Sequence, residues 1–207
     1  MTHPSAKRIV SLYRDKADAW VRDRGAALYS GDGGLDEAAW LDRFVADLPA
    51  GATILDVGCG SGWPLGAALL EREFVVRGVD ASPGLIAHAQ ATLPSGAWSV
   101  GDMREPLQPG PFDGVPAWHS LFHLSPGDQS KVVPKLAACV AEGGRLIFTS
   151  GQAHGETIGQ WRGEPLYHAS LDPEAYRALL AGAGLRVEYD GAETGVWLAR
   201  RAILSAN

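Results

Sequence analysis

The sequence predicts an α/β fold: a doubly wound, seven-stranded, mostly parallel sheet with helices on both faces and an antiparallel C-terminal strand. From residue 52 onward, short apolar runs rich in β-branched residues alternate with longer stretches of helical spacing, which is typical of parallel strands joined by helices. The last two strand-like runs follow each other without a helix between them, which indicates that the C-terminal strands pair in antiparallel fashion. The length of 207 residues suits one domain that spans 1–207.

The N-terminal segment reads as helical. Apolar side chains recur at three- and four-residue spacings through 5–29, and the Ser-Gly-Asp-Gly-Gly sequence at 30–34 interrupts the pattern. Asp36 is placed to cap a second helix that runs to Leu48, because its carboxylate can accept a hydrogen bond from an early helical N–H. We expect 1–50 to form a helical cap on the sheet.

The strands and helices of the sheet region follow in order. Strands are predicted at 52–58, 74–80, 97–102, 112–120, 145–150, 185–191 and 195–202. Helices are predicted at 61–73, 82–91, 126–144 and 172–184. Pro64 falls in the first turn of its helix, where a missing N–H removes no hydrogen bond, whereas Pro134 is expected to kink the third helix before Gly143-Gly144 ends it. The remaining segment, 151–170, is predicted to be a loop-like insert.

Charge and composition exclude several classes of protein. The 18 basic and 24 acidic residues give a net charge of −6, and the basic residues are scattered singly or in pairs. Nucleic acid is therefore not expected as a partner, since binding to phosphates needs a basic patch. With 46% hydrophobic and 20% charged residues, the chain has the composition of a folded globular protein.

Cysteine content and hydropathy point to the cytoplasm. Cys59 and Cys139 are too few and too far apart for a disulfide framework or a zinc pattern. The N-terminal residues are charged throughout and lack the apolar core of a signal peptide. No apolar run approaches the roughly 20 residues that span a bilayer. We therefore expect a cytoplasmic protein without a membrane partner.

A glycine-rich loop is the strongest motif in the chain. Between a predicted strand and a predicted helix, Ile54 to Gly62 reads Ile-Leu-Asp-Val-Gly-Cys-Gly-Ser-Gly. Glycines there permit a tight turn and close approach of a ligand to the backbone, and free N–H groups at the helix start suit an anionic group. A dinucleotide fingerprint, G-x-G-x-x-G, would need glycine where Trp63 or Leu65 stands, so that alternative is disfavoured.

The motif Asp56-x-Gly58-x-Gly60-x-Gly62 resembles motif I of the class I S-adenosylmethionine-dependent methyltransferases, most closely the bacterial small-molecule type. The resemblance extends over about 36–202. It implies a Rossmann-like fold with S-adenosylmethionine as cofactor. It also implies that a methyl group is transferred to a small-molecule acceptor by in-line displacement in a pocket that excludes water.

The resemblance also assigns cofactor-binding residues. Asp80 ends the second strand, where a carboxylate can accept hydrogen bonds from both ribose hydroxyls; the structural alternative is an acid that caps a helix. Asp102 and Met103 follow the third strand and are expected at the adenine, unless Asp102 lies in a surface turn. The predicted cofactor-binding set is Asp56, Gly58, Gly60, Gly62, Asp80, Ala81, Asp102, Met103 and Trp118.

Candidates for the acceptor side lie after the fourth strand, in the insert and in the cap. His119 is the predicted catalytic residue, because it corresponds to the substrate-facing turn of the family, although a packing role is about as common for histidine. The insert is expected to act as a substrate lid, since long loops in compact domains are often functional; a solvated excursion is the alternative. The predicted substrate-binding residues are Tyr13, His123, His154, Trp161 and Tyr167. No metal site is expected.

Two other functions remain open. The chain could be a non-catalytic module that binds S-adenosylmethionine or a nucleotide and acts as a sensor or partner. A short nicotinamide-dependent oxidoreductase is disfavoured by Trp63 and by the lack of a suitably placed Tyr-x-x-x-Lys pair. The sequence does not indicate which acceptor is used, whether O, N, C or S is methylated, whether a general base is needed, or the oligomeric state.

Overall fold

The computed structural model describes residues 3–29 and 35–203. The helices are α1 (Pro4–Asp15), α2 (Ala17–Arg24), α3 (Glu37–Val45), α4 (Leu65–Glu71), α5 (Pro83–Thr92), α6 (Pro126–Ala138), α7 (Pro173–Gly182) and α8 (Gly191–Thr194). The strands are β1 (Thr53–Val57), β2 (Val75–Asp80), β3 (Ala97–Val100), β4 (Phe112–Ala117), β5 (Val140–Thr149), β6 (Gly155–Trp161), β7 (Glu164–Ser170), β8 (Leu185–Tyr189) and β9 (Val196–Arg201). A short 3-10 turn covers Leu121–His123.

The main sheet has seven strands in the order β3-β2-β1-β4-β5-β9-β8. The first five strands are parallel, and β9 pairs antiparallel with both β5 and β8. The predicted fold class is therefore confirmed. The strand order reverses between β1 and β4, and in doubly wound sheets ligands bind in the crevice at that point.

The strands are apolar because both faces of the sheet are covered. On one face, Val57, Val115 and Phe148 pack against α6 and α7. On the other face, Ile54 and Val76 pack against α3, α4 and α5. This burial on both sides explains why the parallel strands read as continuous apolar runs rather than as alternating patterns.

Side-chain caps fix where several helices begin. Asp36 accepts a hydrogen bond from Ala39 N at 3.0 Å at the start of α3, as predicted. Ser82 caps α5 through Leu85 N at 3.4 Å, and Asp172 caps α7 through Glu174 N at 2.9 Å. These caps hold the helix starts at the same edge of the sheet as the carboxyl ends of the parallel strands.

Two predicted boundaries differ from the structure, and one cannot be compared with it. The continuous helix expected at 5–29 is two helices that break at Lys16, which has a non-helical ψ of 25°. Gly143-Gly144 lies inside β5 rather than at the end of a helix, because α6 already stops at Ala138. The break predicted at 30–34 lies outside the described residues.

The segment 151–170 was predicted to be a loop, and this prediction was wrong. It contains β6 and β7, which form a separate two-stranded antiparallel hairpin. The turn is Arg162-Gly163, with φ values of 50° and 79°, and it joins the paired residues Trp161 and Glu164. The many polar side chains hid the strands, because most of the outer face of this hairpin is exposed to solvent.

Hydropathy gives no membrane signal in the described residues. None of their helices is long and apolar enough to cross a bilayer.

Candidate active site

A cavity opens at the carboxyl ends of β1, β2 and β4, at the point where the strand order reverses, and it has two compartments. The wide compartment has a volume of about 760 Å³, its open mouth included, and is lined by residues that include Tyr13, Asp80 and Met103. The narrow compartment has a volume of about 430 Å³, measured in the same way, and is lined by residues that include Arg24 and Asp56. The residues that line both are Trp20, Gly58, Gly60 and His119.

The glycine loop forms the floor shared by the two compartments. Gly58 has φ of 76°, and a Cβ built on it would lie 2.3 Å from the Cβ of Ser120. Gly60 has φ of 57° and faces the cavity; its nearest neighbour would be Nε1 of Trp20 at 3.6 Å. Gly58 is therefore required by packing, whereas Gly60 leaves room for a ligand against the backbone.

The backbone amides of this loop are mostly occupied. Gly58 N and Cys59 N donate to Val79 O, and Gly62 N donates to Cys59 O. The amide of Gly60 donates to Asp80 at 3.0 Å. Sequence reasoning expected these amides to be free for an anionic group, but the loop instead offers close approach and leaves ligand recognition largely to side chains.

Asp80 stands at the end of β2 and faces the wide compartment. Its two carboxylate oxygens accept hydrogen bonds from Gly60 N at 3.0 Å and Ser82 N at 2.8 Å. Burial raises the pKa of Asp80, and the two amides oppose that effect. The side-chain cap of α5 is Ser82, so Asp80 is not the residue that caps this helix.

Asp56 is buried at the end of β1 beside the narrow compartment. Its Oδ2 has no hydrogen-bond partner among the described groups. Burial and the nearby Asp80 carboxylate raise the pKa of Asp56 to about 7. An unpaired buried carboxyl oxygen beside a cavity fits a cationic or hydrogen-bond-donating part of a ligand.

Asp102 and Met103 line the far side of the wide compartment, as the resemblance predicted. The Arg104 guanidinium donates to both oxygens of Asp102, at 2.9, 3.1 and 2.5 Å. Although burial alone would raise it, these hydrogen bonds lower the pKa of Asp102. Asp102 is therefore an ionised, half-buried acid whose orientation is fixed by its neighbour.

The N-terminal helices line the wide compartment, and the hairpin packs against these helices. The ring of Tyr13 contacts the rings of Trp20 and Trp161 at centroid distances of 5.1 and 6.0 Å. Asp23 of α2 accepts hydrogen bonds from Trp161 Nε1 at 2.9 Å and from the Arg162 guanidinium at 2.8 and 2.7 Å. The tip of the hairpin is thus attached to the N-terminal helices.

A second connection runs through His123. Its Nδ1 lies 2.9 Å from Tyr167 O, a carbonyl that can only accept, so Nδ1 carries the proton. Its Nε2 then accepts a hydrogen bond from the Tyr13 hydroxyl at 2.8 Å. Burial lowers the pKa of His123 to about 3, so the ring stays neutral and braces Tyr13 at the cavity wall.

Glu37, which sequence reasoning missed, is the most densely hydrogen-bonded acid near the cavity. It is 1% exposed at the start of α3. Its carboxylate accepts hydrogen bonds from Arg24 at 2.8 Å, Tyr29 N at 2.8 Å, Trp118 Nε1 at 3.1 Å and His119 Nε2 at 2.8 Å. Although burial alone would raise it, these donors hold the pKa of Glu37 at about 2.

His119 occupies a special backbone position after β4. Its φ is 49°, in the left-handed region that few non-glycine residues adopt. Its N–H donates to Thr149 Oγ1 at 2.9 Å, which anchors this conformation to β5. The turn brings the imidazole to the border of the two compartments, where the prediction had placed a catalytic residue.

Of the remaining predicted residues, some line the cavity and others do not. Trp118 and Ala81 line one compartment each. Gly62 packs against Leu93 and is not part of either lining. His154 is exposed just before β6, and Tyr167 is fully buried in a small cluster with Ala6 and Ile9. In the ranges 3–29 and 35–203, no group of three potential ligands could hold a metal ion.

Comparison with known proteins decides the family. A model described as "Methyltransferase domain" matches residues 35–189. The chain belongs to this methyltransferase family. The match includes the glycine loop, Asp80, Asp102 and His119, so the predicted family is confirmed on the residues that carried the resemblance.

Curated relatives match this chain over part of their length. A ubiquinone biosynthesis O-methyltransferase from Xanthomonas axonopodis pv. citri (strain 306) is 30% identical over 159 residues, or 68% of this chain. The match spans 65% of that relative, slightly less than two thirds of its length. A trans-aconitate 2-methyltransferase from Methylobacterium nodulans is 34% identical over 101 residues, which cover 48% of this chain and 38% of the relative.

Solved structures share the fold of this chain. An S-adenosylmethionine-bound amino pentose methyltransferase from Micromonospora echinaspora superposes with a TM-score of 0.67 at 24% identity, covering 89% of this chain and 96% of that chain. A sugar N-methyltransferase from Streptoalloteichus sp. ATCC 53650 gives a TM-score of 0.69 at 20% identity, with coverages of 89% and 92%.

Proposed function

We propose that the chain is an S-adenosylmethionine-dependent methyltransferase that acts on a small molecule. The observation that carries the proposal is the pair of compartments that meet over the glycine loop, one with Asp80 in its wall and the other with the unpaired Asp56. S-adenosylmethionine has the same division, because a nucleoside and an amino-acid tail extend from one sulfonium centre. Family membership supports this match.

The wide compartment suits the nucleoside half. Asp80 would accept hydrogen bonds from the ribose hydroxyls with the lone pairs that Gly60 and Ser82 leave free. Ala81, Asp102 and Met103 lie in the same wall and would surround the adenine. Close approach of the ribose is possible because Gly60 has no side chain.

The narrow compartment suits the amino-acid half. Asp56 would pair with the ammonium group, which supplies the partner that its Oδ2 lacks. The Arg24 guanidinium lines the same compartment and could meet the carboxylate while it remains bonded to Glu37. The indole of Trp118 completes the wall.

When bound, the cofactor supplies an electrophilic methyl group, so the protein has to align the acceptor and keep water out. Tyr13 and Trp20 line the cavity and provide an apolar aromatic boundary, and Trp161 packs against both rings. His119 would contact the acceptor, with Tyr13, His123 and Trp161 shaping its surroundings. A cytoplasmic location remains part of the proposal, and the free, buried Cys59 and Cys139 are consistent with a reducing compartment.

Titration calorimetry with S-adenosylhomocysteine tests the proposal. We expect micromolar affinity, and Asp80→Asn should weaken it about 100-fold, because hydrogen bonds to a charged acceptor contribute about 1.5–3 kcal/mol each. Glu71→Gln, an exposed residue at the end of α4, is the matched control and should bind like the wild type. Lack of binding by the intact protein would overturn the proposal, and binding without turnover on any acceptor would favour a sensor module.

A further inference from the structure

The hydrogen bonds of Glu37 determine which nitrogen of His119 carries a proton. The Glu37 carboxylate is ionised and can only accept, and it lies 2.8 Å from His119 Nε2. Nε2 must therefore be the donor, so the lone pair of the uncharged form of the ring lies on Nδ1. Trp118 Nε1 donates to the same carboxylate oxygen and fixes the direction from which the imidazole approaches.

The Nδ1 atom of His119 makes no hydrogen bond to any described residue, although the other ring nitrogen is held tightly. The imidazole borders both compartments, next to Gly58 and Gly60, where the reactive centre of the proposed cofactor would lie. Aromatic rings flank it, with Trp118 at 5.2 Å and Phe122 at 6.0 Å between centroids. A flat ring could therefore pack beside the free nitrogen.

We propose that Glu37 and His119 form a proton-accepting pair, and that the acceptor presents a phenol-type hydroxyl to Nδ1 of His119. This inference rests on the proposed function and specifies the acceptor for the same site. His119 is the catalytic residue in this pair because it touches the acceptor. Glu37 is a positioning residue that sets the tautomer and stabilises the imidazolium after the proton has moved.

The step balances without any further reactant. The acceptor oxygen forms a bond to the methyl carbon while the carbon–sulfur bond breaks, and that electron pair stays on sulfur. The hydroxyl proton passes to Nδ1 of His119, and the resulting imidazolium later releases it to solvent. The His119 side chain is 31% exposed, which allows this release.

The chemistry of the pair favours a phenol over other acceptors. A carboxylate needs no proton acceptor before methylation, and an uncharged aromatic amine attacks with a lone pair that is already free. An aliphatic ammonium must also lose a proton, but it would bring a second positive charge beside the sulfonium. An aliphatic hydroxyl holds its proton too firmly for an imidazole to remove it, whereas a phenol is far more acidic. A base held in one tautomer beside aromatic rings therefore suits a phenol.

The charges around His119 come from several elements. Glu37 of α3 is in direct contact, and Arg24 of α2 is bonded to that same carboxylate. Asp56 of β1 lines the narrow compartment with His119, and the neutral His123 follows in the next turn. Among these groups Glu37 is the one that can stabilise a positive imidazole by contact.

A chromogenic phenol tests proton transfer without turnover. Wild-type protein saturated with S-adenosylhomocysteine would be titrated with para-nitrophenol at a pH where the free phenol is largely protonated. We expect binding and a gain in phenolate absorbance. Para-nitroaniline, which has the same shape but no acidic hydroxyl, is the matched control ligand and should show no such gain.

His119→Gly and Glu37→Gln separate the roles of the two residues. Glycine suits the left-handed backbone at position 119, so this variant should fold and bind S-adenosylhomocysteine like the wild type. It should lose the phenolate signal and lower methyl transfer to phenols about 100- to 10,000-fold, with partial rescue by added imidazole. Glu37→Gln should lower kcat about 10-fold with little change in KM. His88→Gln, a partly exposed histidine on α5, is the control.

The outcomes distinguish this inference from the proposed function. If S-adenosylhomocysteine binds but para-nitrophenol does not, or if His119→Gly keeps the phenolate signal, the proton-accepting pair is wrong and the proposed function stands. Equal loss of phenol methylation in His119→Gly with and without imidazole would reduce His119 to a structural role. If S-adenosylhomocysteine itself does not bind, both the proposed function and this inference are wrong.

Discussion

Affinity for S-adenosylhomocysteine is expected to rise with pH and to level off near pH 7, because Asp56 changes charge there. Burial and the Asp80 carboxylate raise the pKa of Asp56 to about 7. Its Oδ2 has no partner among the described groups, so none of the cations in 3–29 and 35–203 pairs with this oxygen. Under the proposed function, the ligand's ammonium group meets this carboxyl and favours its ionised form.

The sign and size follow from proton linkage. Below the pKa of Asp56 the ligand must displace one proton, so each pH unit of acidification weakens binding about tenfold. From pH 7 to pH 5 the affinity should fall about 50-fold, which corresponds to about 2.3 kcal/mol, because the ionised fraction of Asp56 falls from about one half to about one hundredth. Above about pH 8 the carboxyl is ionised throughout, and its contribution to the affinity should stay level.

Calorimetry in buffers of different ionisation enthalpy measures both the affinity and the number of protons released. Asp56→Asn carries no proton to release and should bind weakly, without this dependence on pH. Asp80→Asn should keep a dependence on pH, although the loss of the nearby charge moves its midpoint to lower pH. A flat wild-type affinity between about pH 5 and 7, or an unchanged slope in Asp56→Asn, would refute the reasoning.

The same carboxyl should affect folding with the opposite sign. The pKa of Asp56 is higher in the folded protein than in an unfolded chain, so the folded state binds more protons between about pH 4 and 7. The free energy of unfolding without ligand should therefore fall as pH rises through this window. Asp56→Asn should remove this contribution, which denaturant titrations at several pH values would measure.

Three further predictions concern the walls of the site. Gly58→Ala should lower the free energy of unfolding by about 3 kcal/mol, because its Cβ would lie 2.3 Å from the Cβ of Ser120 on a left-handed backbone; chemical denaturation measures this, and an unchanged midpoint would contradict the packing argument. Tyr13→Phe should lower it by about 1 kcal/mol, because the buried Nε2 of His123 loses its donor; equal stability would mean that water replaces the hydroxyl. Asp23→Ala should speed hydrogen exchange in the hairpin, whereas Asp15→Ala on α1 should not; protection equal in both would show that Asp23 does not hold the hairpin.

Local sequence patterns were enough to predict those parts of the structure that depend on residues close together in the chain. The apolar runs predicted all seven strands of the main sheet. In central strands such as β1 and β4 nearly every residue is buried, which leaves little choice of residue type. The motif from Asp56 to Gly62 also located the cavity floor, because glycine is required there by a turn and a close approach. Asp80 followed from its position at a strand end.

Contacts between distant residues could not be predicted in this way. Glu37 and His119 are separated by 82 positions, and Tyr13 and His123 by 110. In the sequence, Glu37 resembles any acid in the first turn of a helix, where charge alone explains its presence. The signal that could have found Glu37 is its position on the apolar face of α3. The other buried residues of this helix are hydrophobic, so an acid at helical spacing from them is expected to have a specific partner.

The family match covers the residues that we propose to bind the methyl donor, but it does not cover the N-terminal helices that line the same cavity. The match covers 35–189 and so includes the glycine loop, Asp56 and Asp80, whereas Tyr13 and Trp20 precede it. Both of these aromatic residues face the cavity from helices that the hairpin holds in place. Because acceptors differ among methyltransferases while the donor stays the same, we expect the cap to decide which acceptor fits. Trp20→Leu should therefore change the relative rates on phenols of different size more than it changes the affinity for S-adenosylhomocysteine.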